Sequence, residues 1–265
     1  YTAMYVSSPK FVNMIFNILK SVGPTVVYSN YVMMEGLELF KIYLSYFGFY
    51  NFMTDMKYQE GRVGYVEFHG GIKTGEQRHD AKDEYNKPEN QYGALLKIML
   101  ISPAGAEGLS LRNVRQIHIM QPYWNEVRIT QMIGRGIRQG SHCQLPIDER
   151  HVDVYRYKVT RKNKTKVSTD QFIEDLARTK DGLIQSFLGA VKEVAVDCEL
   201  FKNQNSTTSN YKCFKFNEES LFDENIGPAY KEDIMDDMKM DNGSNSIKSV
   251  SMKIKVMKIR GVVVN

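Results

Sequence analysis

Apolar positions along the chain follow two rhythms. Nearly unbroken β-branched runs at TVVYS (25–29), RVGYVEFH (62–69), LKIMLIS (96–102), VRQIHIMQ (114–121) and HVDVYRYKV (151–159) predict strands. Between and before them, helical spacing predicts helices at PKFVNMIFNILKSV (9–22), VMMEGLELFKIYLSYF (32–47), GEQRHDAKDEY (75–85) and NEVRITQMIGRGIRQ (125–139). Strands without a polar face need cover on both sides, so the alternation implies an α/β fold with a parallel sheet between helices. Ligands of such sheets bind in the loops beyond the carboxyl ends of the strands. Beyond residue 160, TDQFIEDLARTKDGLIQSFLGAVKEVA (169–195) reads as one or two amphipathic helices, and NQNSTTSN (203–210) as a linker. The closing SMKIKVMKIRGVVV alternates apolar and basic residues and predicts an edge strand. Three segments follow: a domain over 1–160, a helical extension over 161–200 and a mixed tail over 201–265.

Two stretches carry chemistry. QMIGRGIRQG (131–140) sets Gln131, Arg135 and Arg138 at i, i+4 and i+7, one stripe of a helix with Gly140 as its stop. Two guanidiniums and an amide make a poor core face and a good polyphosphate face. Glycine inside a helix costs about 1 kcal/mol relative to alanine, so Gly134 and Gly136 suggest positions where a side chain would obstruct a ligand or a neighbour. A basic helix end favoured by the helix dipole is the plainer alternative. Upstream, KIMLISPAGAEGLSLRNVRQIHIMQPYWN runs from one buried strand through a loop of small residues to another. There Gly105 and Gly108 permit close backbone approach, and Ser102 ends its strand with a hydroxyl available to a phosphate.

Composition changes this picture little: 42% of the 265 residues are apolar and 25% charged, as in globular domains. Charge distribution adds more. RYKVTRKNKTK (156–166) has six basic residues and no acids, fitting either a polyanion or a solvated hairpin edge, whereas 218–241 has nine acids and reads as a solvated connector. Three widely spaced cysteines, Cys143, Cys198 and Cys213, lack metal-ligand spacing and suggest reduced thiols inside a cell. No apolar run is long enough for a bilayer and no signal peptide opens the chain. The first residue is not Met, so a longer polypeptide is expected.

Taken together, SPAGAEGLSL and QMIGRGIRQG resemble motifs V and VI of the C-terminal RecA-like lobe of superfamily 2 helicases and ATPases. PYWNEVRITQ resembles the Swi/Snf branch. GRGIRQGSHCQLPIDERHVDVYRYK resembles the helicase-type ATPases of large DNA viruses, such as the poxvirus early transcription factor and nucleoside triphosphatases. The resemblance covers residues 1 to 160 and implies a RecA-like sheet, the second lobe of a P-loop-type motor. It implies that Arg135 and Arg138 are fingers acting on ATP held by a partner lobe, with Gln131, Gly108 and Ser110 beside the nucleotide. The motif often has Asp at the Ser110 position, which weakens the ribose contact. The same resemblance puts Ser29, Asn30, His69, Gly70 and Ser102 on a nucleic-acid backbone.

No G-x-x-x-x-G-K-[ST] loop occurs; GGIKTG (70–75) is followed by Glu76. A carboxylate pair closing a buried strand is missing too, and DEY (83–85) belongs to a charged helix. The chain alone is therefore not expected to hydrolyse ATP or hold Mg²⁺. An N-terminal RecA-like lobe, in cis or in trans, must do both. The implied partners are nucleic acid, DNA in preference to RNA, and transcription machinery. The implied location is intracellular: a virus factory or virion for a viral protein, otherwise the nucleus. A non-catalytic RecA-like scaffold and a doubly wound glycosyltransferase are the competing readings.

Overall fold

The computed structural model describes residues 2–34, 36–72, 75–103, 108–161, 166–201, 213 and 259–262. Two short helices, α1 (Thr2–Ser7) and α2 (Pro9–Leu19), lead into β1 (Thr25–Tyr28), α3 (Leu37–Tyr46), β2 (Tyr50–Asn51), α4 (Phe52–Asp55) and β3 (Gly64–Phe68). Then come α5 (Gly75–Tyr85), β4 (Leu96–Ile101), β5 (Gln116–Ile119), α6 (Glu126–Gly136), β6 (His151–Arg156), α7 (Thr169–Val194), α8 (Val196–Leu200) and β7 (Ile259–Val262). The strands form one sheet in the order β2-β3-β4-β1-β5-β6-β7. All neighbours are parallel except β6 and β7, which pair antiparallel at the edge. The expected edge strand is thus present over Ile259–Val262; residues 251–258 and the 203–210 linker lie outside the described residues.

Side chains alternate across the sheet as the pleat requires. Val26, Tyr28, Met99 and Ile101 face a layer containing Ala81 and Tyr85 of α5 and Ile129 and Met132 of α6. Val27, Ile98 and Leu100 face Phe11, Ile15, Phe40 and Leu44 of α2 and α3. Each fully buried aliphatic side chain contributes roughly 1.5–3 kcal/mol, so the β1–β4–β5 centre of the sheet is the anchor for the loops at its end. This is the RecA-like parallel α/β arrangement expected from the sequence.

Three local expectations change. The helix read over 32–47 starts only at Leu37. A Cβ on Gly36 would lie 2.0 Å from the Tyr31 carbonyl oxygen, and Met34 has φ +50°, so residues 31–34 fold back as a loop before the helix can begin. The helix read over 125–139 stops at Gly136: Ile137 caps it with φ −120° and ψ 86°, and Gly140, with φ +76°, serves a later turn. The cysteines are not all free: Cys198 and Cys213 form a disulfide, their Cα atoms 5.5 Å apart and within bridging range. Cys143 is free and exposed. The chain divides into two compact units, Tyr1–Asp175 with Val256–Asn265, and Leu176–Lys255. All candidate site residues lie in the first.

Candidate nucleotide and nucleic-acid sites

Helix α6 is nucleated by Asn125, whose Oδ1 accepts the Val127 N–H at 2.9 Å. Ile129, Met132 and Gly136 face the core, leaving Arg128, Gln131 and Arg135 on the outer side. Gly136 is needed for packing, since a Cβ there would sit 3.0 Å from Ile117 Cδ1 on β5. Gly134 is different: a Cβ would meet nothing within 4 Å, so no part of the fold requires glycine there.

The helix ends before Arg138, which corrects the continuous stripe expected for Gln131, Arg135 and Arg138. Arg138 instead turns back along the helix end, its Nε donating to the Gly134 carbonyl (3.3 Å) and its Nη1 to Ser110 Oγ (2.8 Å). The Leu111 N–H donates to the Arg135 carbonyl (3.3 Å), locking the 108–111 loop to the same end. Asn86, at the close of α5, braces that loop by donating to the Ser110 carbonyl and accepting the Arg112 N–H, both at 2.9 Å. Gly108 is exposed with φ +72° and open space around it. The 108–111 loop and the Arg138 side chain are therefore joined at the end of α6, with the Arg135 backbone bonded to the same loop; Gln131 lies exposed one turn away. Gly105 falls outside the described residues. Arg138 is exposed, Arg135 is half-buried, and among the described residues no carboxylate pairs with either. Two guanidiniums with no carboxylate partner among the described residues have the charge and donor geometry that suit an anion.

The second group stands at the carboxyl ends of the strands. Ser29 is fully buried: its hydroxyl donates to the Tyr31 carbonyl (2.8 Å) and accepts from Gln121 Nε2 (3.0 Å). It ties the loops after β1 and β5 together rather than facing solvent. Asn30 is half-buried, takes the Tyr28 hydroxyl on Oδ1 (3.2 Å), and has an Nδ2 with no partner. Burial pushes the Tyr28 phenol up to about 12, with the Arg128 charge working against that rise. Ser102 closes β4, is buried, and its N–H donates to the Phe68 carbonyl (3.4 Å).

His69 is buried, not presented to a ligand. Its Nδ1 accepts the Gly71 N–H (3.1 Å), which leaves the Nε2 hydrogen to donate to Glu67 (2.9 Å). Glu67 also accepts from Lys41 (3.0 Å) and Asn51 (2.6 Å). Burial alone would raise its carboxyl, but the His69 and Lys41 contacts outweigh burial and hold it below the ordinary range. Lys41 is correspondingly held above its usual value: burial would lower it, and Glu38 and Glu67 more than reverse that. Ligand atoms of Glu38, Glu67 and His69 lie within 4.8 Å of one another, close enough to share a cation, and the Lys41 ammonium fills that role. This network fixes the turn that leaves Gly70 exposed, beside an open cavity of about 270 Å³ bordered by Lys41, His69, Gly71 and Gln77. The sequence reading found His69 and Gly70 but missed Glu67, Lys41 and Gln121, because a buried Glu on a strand has no one-dimensional signature. It also missed Arg128, although i, i+3 spacing to Gln131 was visible.

Residues 10–140 match the helicase conserved C-terminal domain, and this part of the chain is a domain of that family. An Acanthamoeba polyphaga mimivirus protein named as an ATP-dependent RNA helicase is 47% identical over 98% of this chain and 32% of its own length. The African swine fever virus termination factor NPH-I homolog is 29% identical over 72% of this chain and 33% of its own length. The C-terminal part of the Fun30 ATPase domain overlays 66% of this chain and 54% of its own with a TM-score of 0.39 at 13% identity, and adds nothing to the topology above. The chain thus spans about a third of the length of these viral relatives. Among the described residues no helix is long and apolar enough to cross a membrane.

Proposed function

We propose that this chain is the second motor lobe of an ATP-dependent nucleic-acid helicase or translocase, and that Arg135 and Arg138 act on ATP bound by a first lobe. The observation that supports the reading is the Arg138 guanidinium on Ser110 beside the exposed Gly108, with Arg135 on the outer side of the same helix end and no carboxylate paired with either arginine among the described residues. The donor set fits a polyphosphate: the Arg138 cation held on Ser110, the Arg135 cation one turn back, a hydroxyl, and two glycine positions, 108 and 134, where no described atom would meet a Cβ. ATP supplies the transferable γ-phosphoryl group. This chain supplies charge complementary to the transition state, in the manner of arginine fingers worth about 10³ to 10⁵ in rate. Mg²⁺ and the β- and γ-phosphates fall to the first lobe, since the sequence has no phosphate loop.

Nucleic acid lies along the strand-end loops in this reading, held by Asn30 and the Gly70 turn, with Ser29, His69 and Ser102 as their internal braces. Cycles of lobe closure and opening shift that grip. The sequence-level preference for DNA finds no support among the relatives; a mimivirus relative is named an RNA helicase, which makes RNA the first polymer to test. The termination-factor name of the swine fever virus relative favours a transcription setting. In the full-length polypeptide, Arg135→Ala is expected to abolish nucleic-acid-stimulated ATPase while leaving nucleic-acid binding intact; retention of stimulated turnover overturns the proposal and favours a non-catalytic scaffold.

A further inference from the structure

At the start of α6, one turn before Gln131, Arg128 is exposed and no carboxylate pairs with it among the described residues. Its guanidinium lies over the Tyr123 ring, 4.8 Å from the centroid, and its Nη1 donates to that ring's hydroxyl at 2.8 Å. Trp124 follows immediately, 41% exposed, in a T-shaped pair with Phe172 whose ring centroids lie 6.5 Å apart. Across the mouth, Tyr31 is 57% exposed on the loop after β1, the strand adjacent to β5. The Arg128 charge reaches the Tyr28 phenol, whose hydroxyl donates to Asn30. A planar cation held by the ring and the hydroxyl of one tyrosine thus stands, exposed, near the polar row assigned to the nucleic-acid backbone.

We propose that the outer face of the Arg128 guanidinium, backed by Tyr123 and flanked by Trp124, is a stacking step for an unpaired nucleobase. This rests on the nucleic-acid reading of the strand-end loops and specifies its substrate as a single strand. A guanidinium pre-ordered against a tyrosine loses little freedom when a base stacks on it, and stacking on arginine and aromatic side chains is indifferent to base identity. A paired base has both faces covered by its neighbours and its edge tied to the opposite strand. The step therefore discriminates single strand from duplex, whereas the phosphate contacts do not.

Trp124 is the sole tryptophan, so its emission reports from the site itself. The 265-residue chain is titrated with a short oligouridine, the same strand paired with oligoadenosine, and an abasic strand of equal length, binding being read independently by anisotropy of a labelled strand. Oligouridine is expected to quench Trp124, with the duplex and abasic strand binding without the quench. Arg128→Lys, which keeps the charge and removes the plane, is expected to weaken oligouridine binding roughly tenfold, the equivalent of about 1.4 kcal/mol of stacking. It should leave the abasic strand unaffected. Intact oligouridine binding with unchanged Trp124 emission, or an Arg128→Lys protein that binds oligouridine like the parent, overturns the stacking step alone. If none of the three probes binds, the nucleic-acid reading falls and takes the inference with it.

Discussion

Replacing Glu67 with Gln tests how the turn at the end of β3 is held. The carboxylate, 6% exposed, accepts three hydrogen bonds: Lys41 at 3.0 Å, His69 at 2.9 Å and Asn51 at 2.6 Å. Glutamine keeps one good acceptor but turns an amide N–H₂ toward groups that also donate, and removes the charge opposite Lys41. Breaking a buried ion pair by removing one partner typically costs about 3–5 kcal/mol. Lys41 keeps Glu38 at 2.8 Å and its side chain is 19% exposed, which places the expected loss lower, at about 2–3 kcal/mol. Urea unfolding followed by circular dichroism should show it as a midpoint lowered by roughly 1 M at the usual slope for domains of this size. The sign of the pH dependence follows from the depressed carboxyl: the stabilisation is present above the unfolded-state pKa near 4.5 and is lost as pH falls through the lower folded value. The gap between parent and variant should therefore hold from pH 7 to about 5 and close in stronger acid. A Glu67→Gln protein within about 0.5 kcal/mol of the parent at pH 7 would show that the network does not hold the turn.

Three further outcomes are expected. Gly134→Ala should stabilise the chain by about 0.5–1 kcal/mol through helix propensity, because its Cβ meets nothing, yet slow ATP turnover in the full-length polypeptide; a stabilised variant with full turnover would remove the reason for glycine there. Asn90→Ala, at a fully buried site whose side chain donates to the Tyr85 and Leu96 carbonyls and accepts the Leu95 and Leu96 N–H groups, should cost about 3 kcal/mol or more in denaturant unfolding. Burial pushes His118 down to about 3, so its neutral form adds stability above the unfolded pKa of 6.5 that is lost as pH falls toward 3; His118→Gln should flatten the melting temperature between pH 6 and 4.

The strands were legible because a parallel sheet covered on both faces needs unbroken apolar runs: LKIMLIS gave β4 to within a residue, and GEQRHDAKDEY matched α5 at both ends. β2 escaped because two residues carry no periodicity. The boundaries that failed were set by tertiary contacts: the Tyr31 carbonyl pressed on Gly36 shortened α3, and Arg138 left the helix to reach Ser110. At the site, residue types were readable and their division of labour was not. Ser29 and His69 match a nucleic-acid motif, yet both spend their hydrogen bonds inside the fold. Of the partners that consume them, Gln121 lies 92 residues from Ser29, beyond another strand, which sequence spacing does not connect, and Glu67 stands two residues before His69 in an apolar strand where nothing marks it as a partner.

The proposed role of Arg135, at the end of α6, and Arg138, just beyond it, toward a triphosphate bound by another lobe is tested most directly by single-turnover ATP hydrolysis in the full-length polypeptide with saturating nucleic acid. Because a finger acts on charge that develops in the transition state, Arg135→Ala should slow the chemical step by about 10³-fold or more with ATP affinity changed far less. A hydrolysis rate equal to that of the parent, or a loss confined to ATP affinity, contradicts the account.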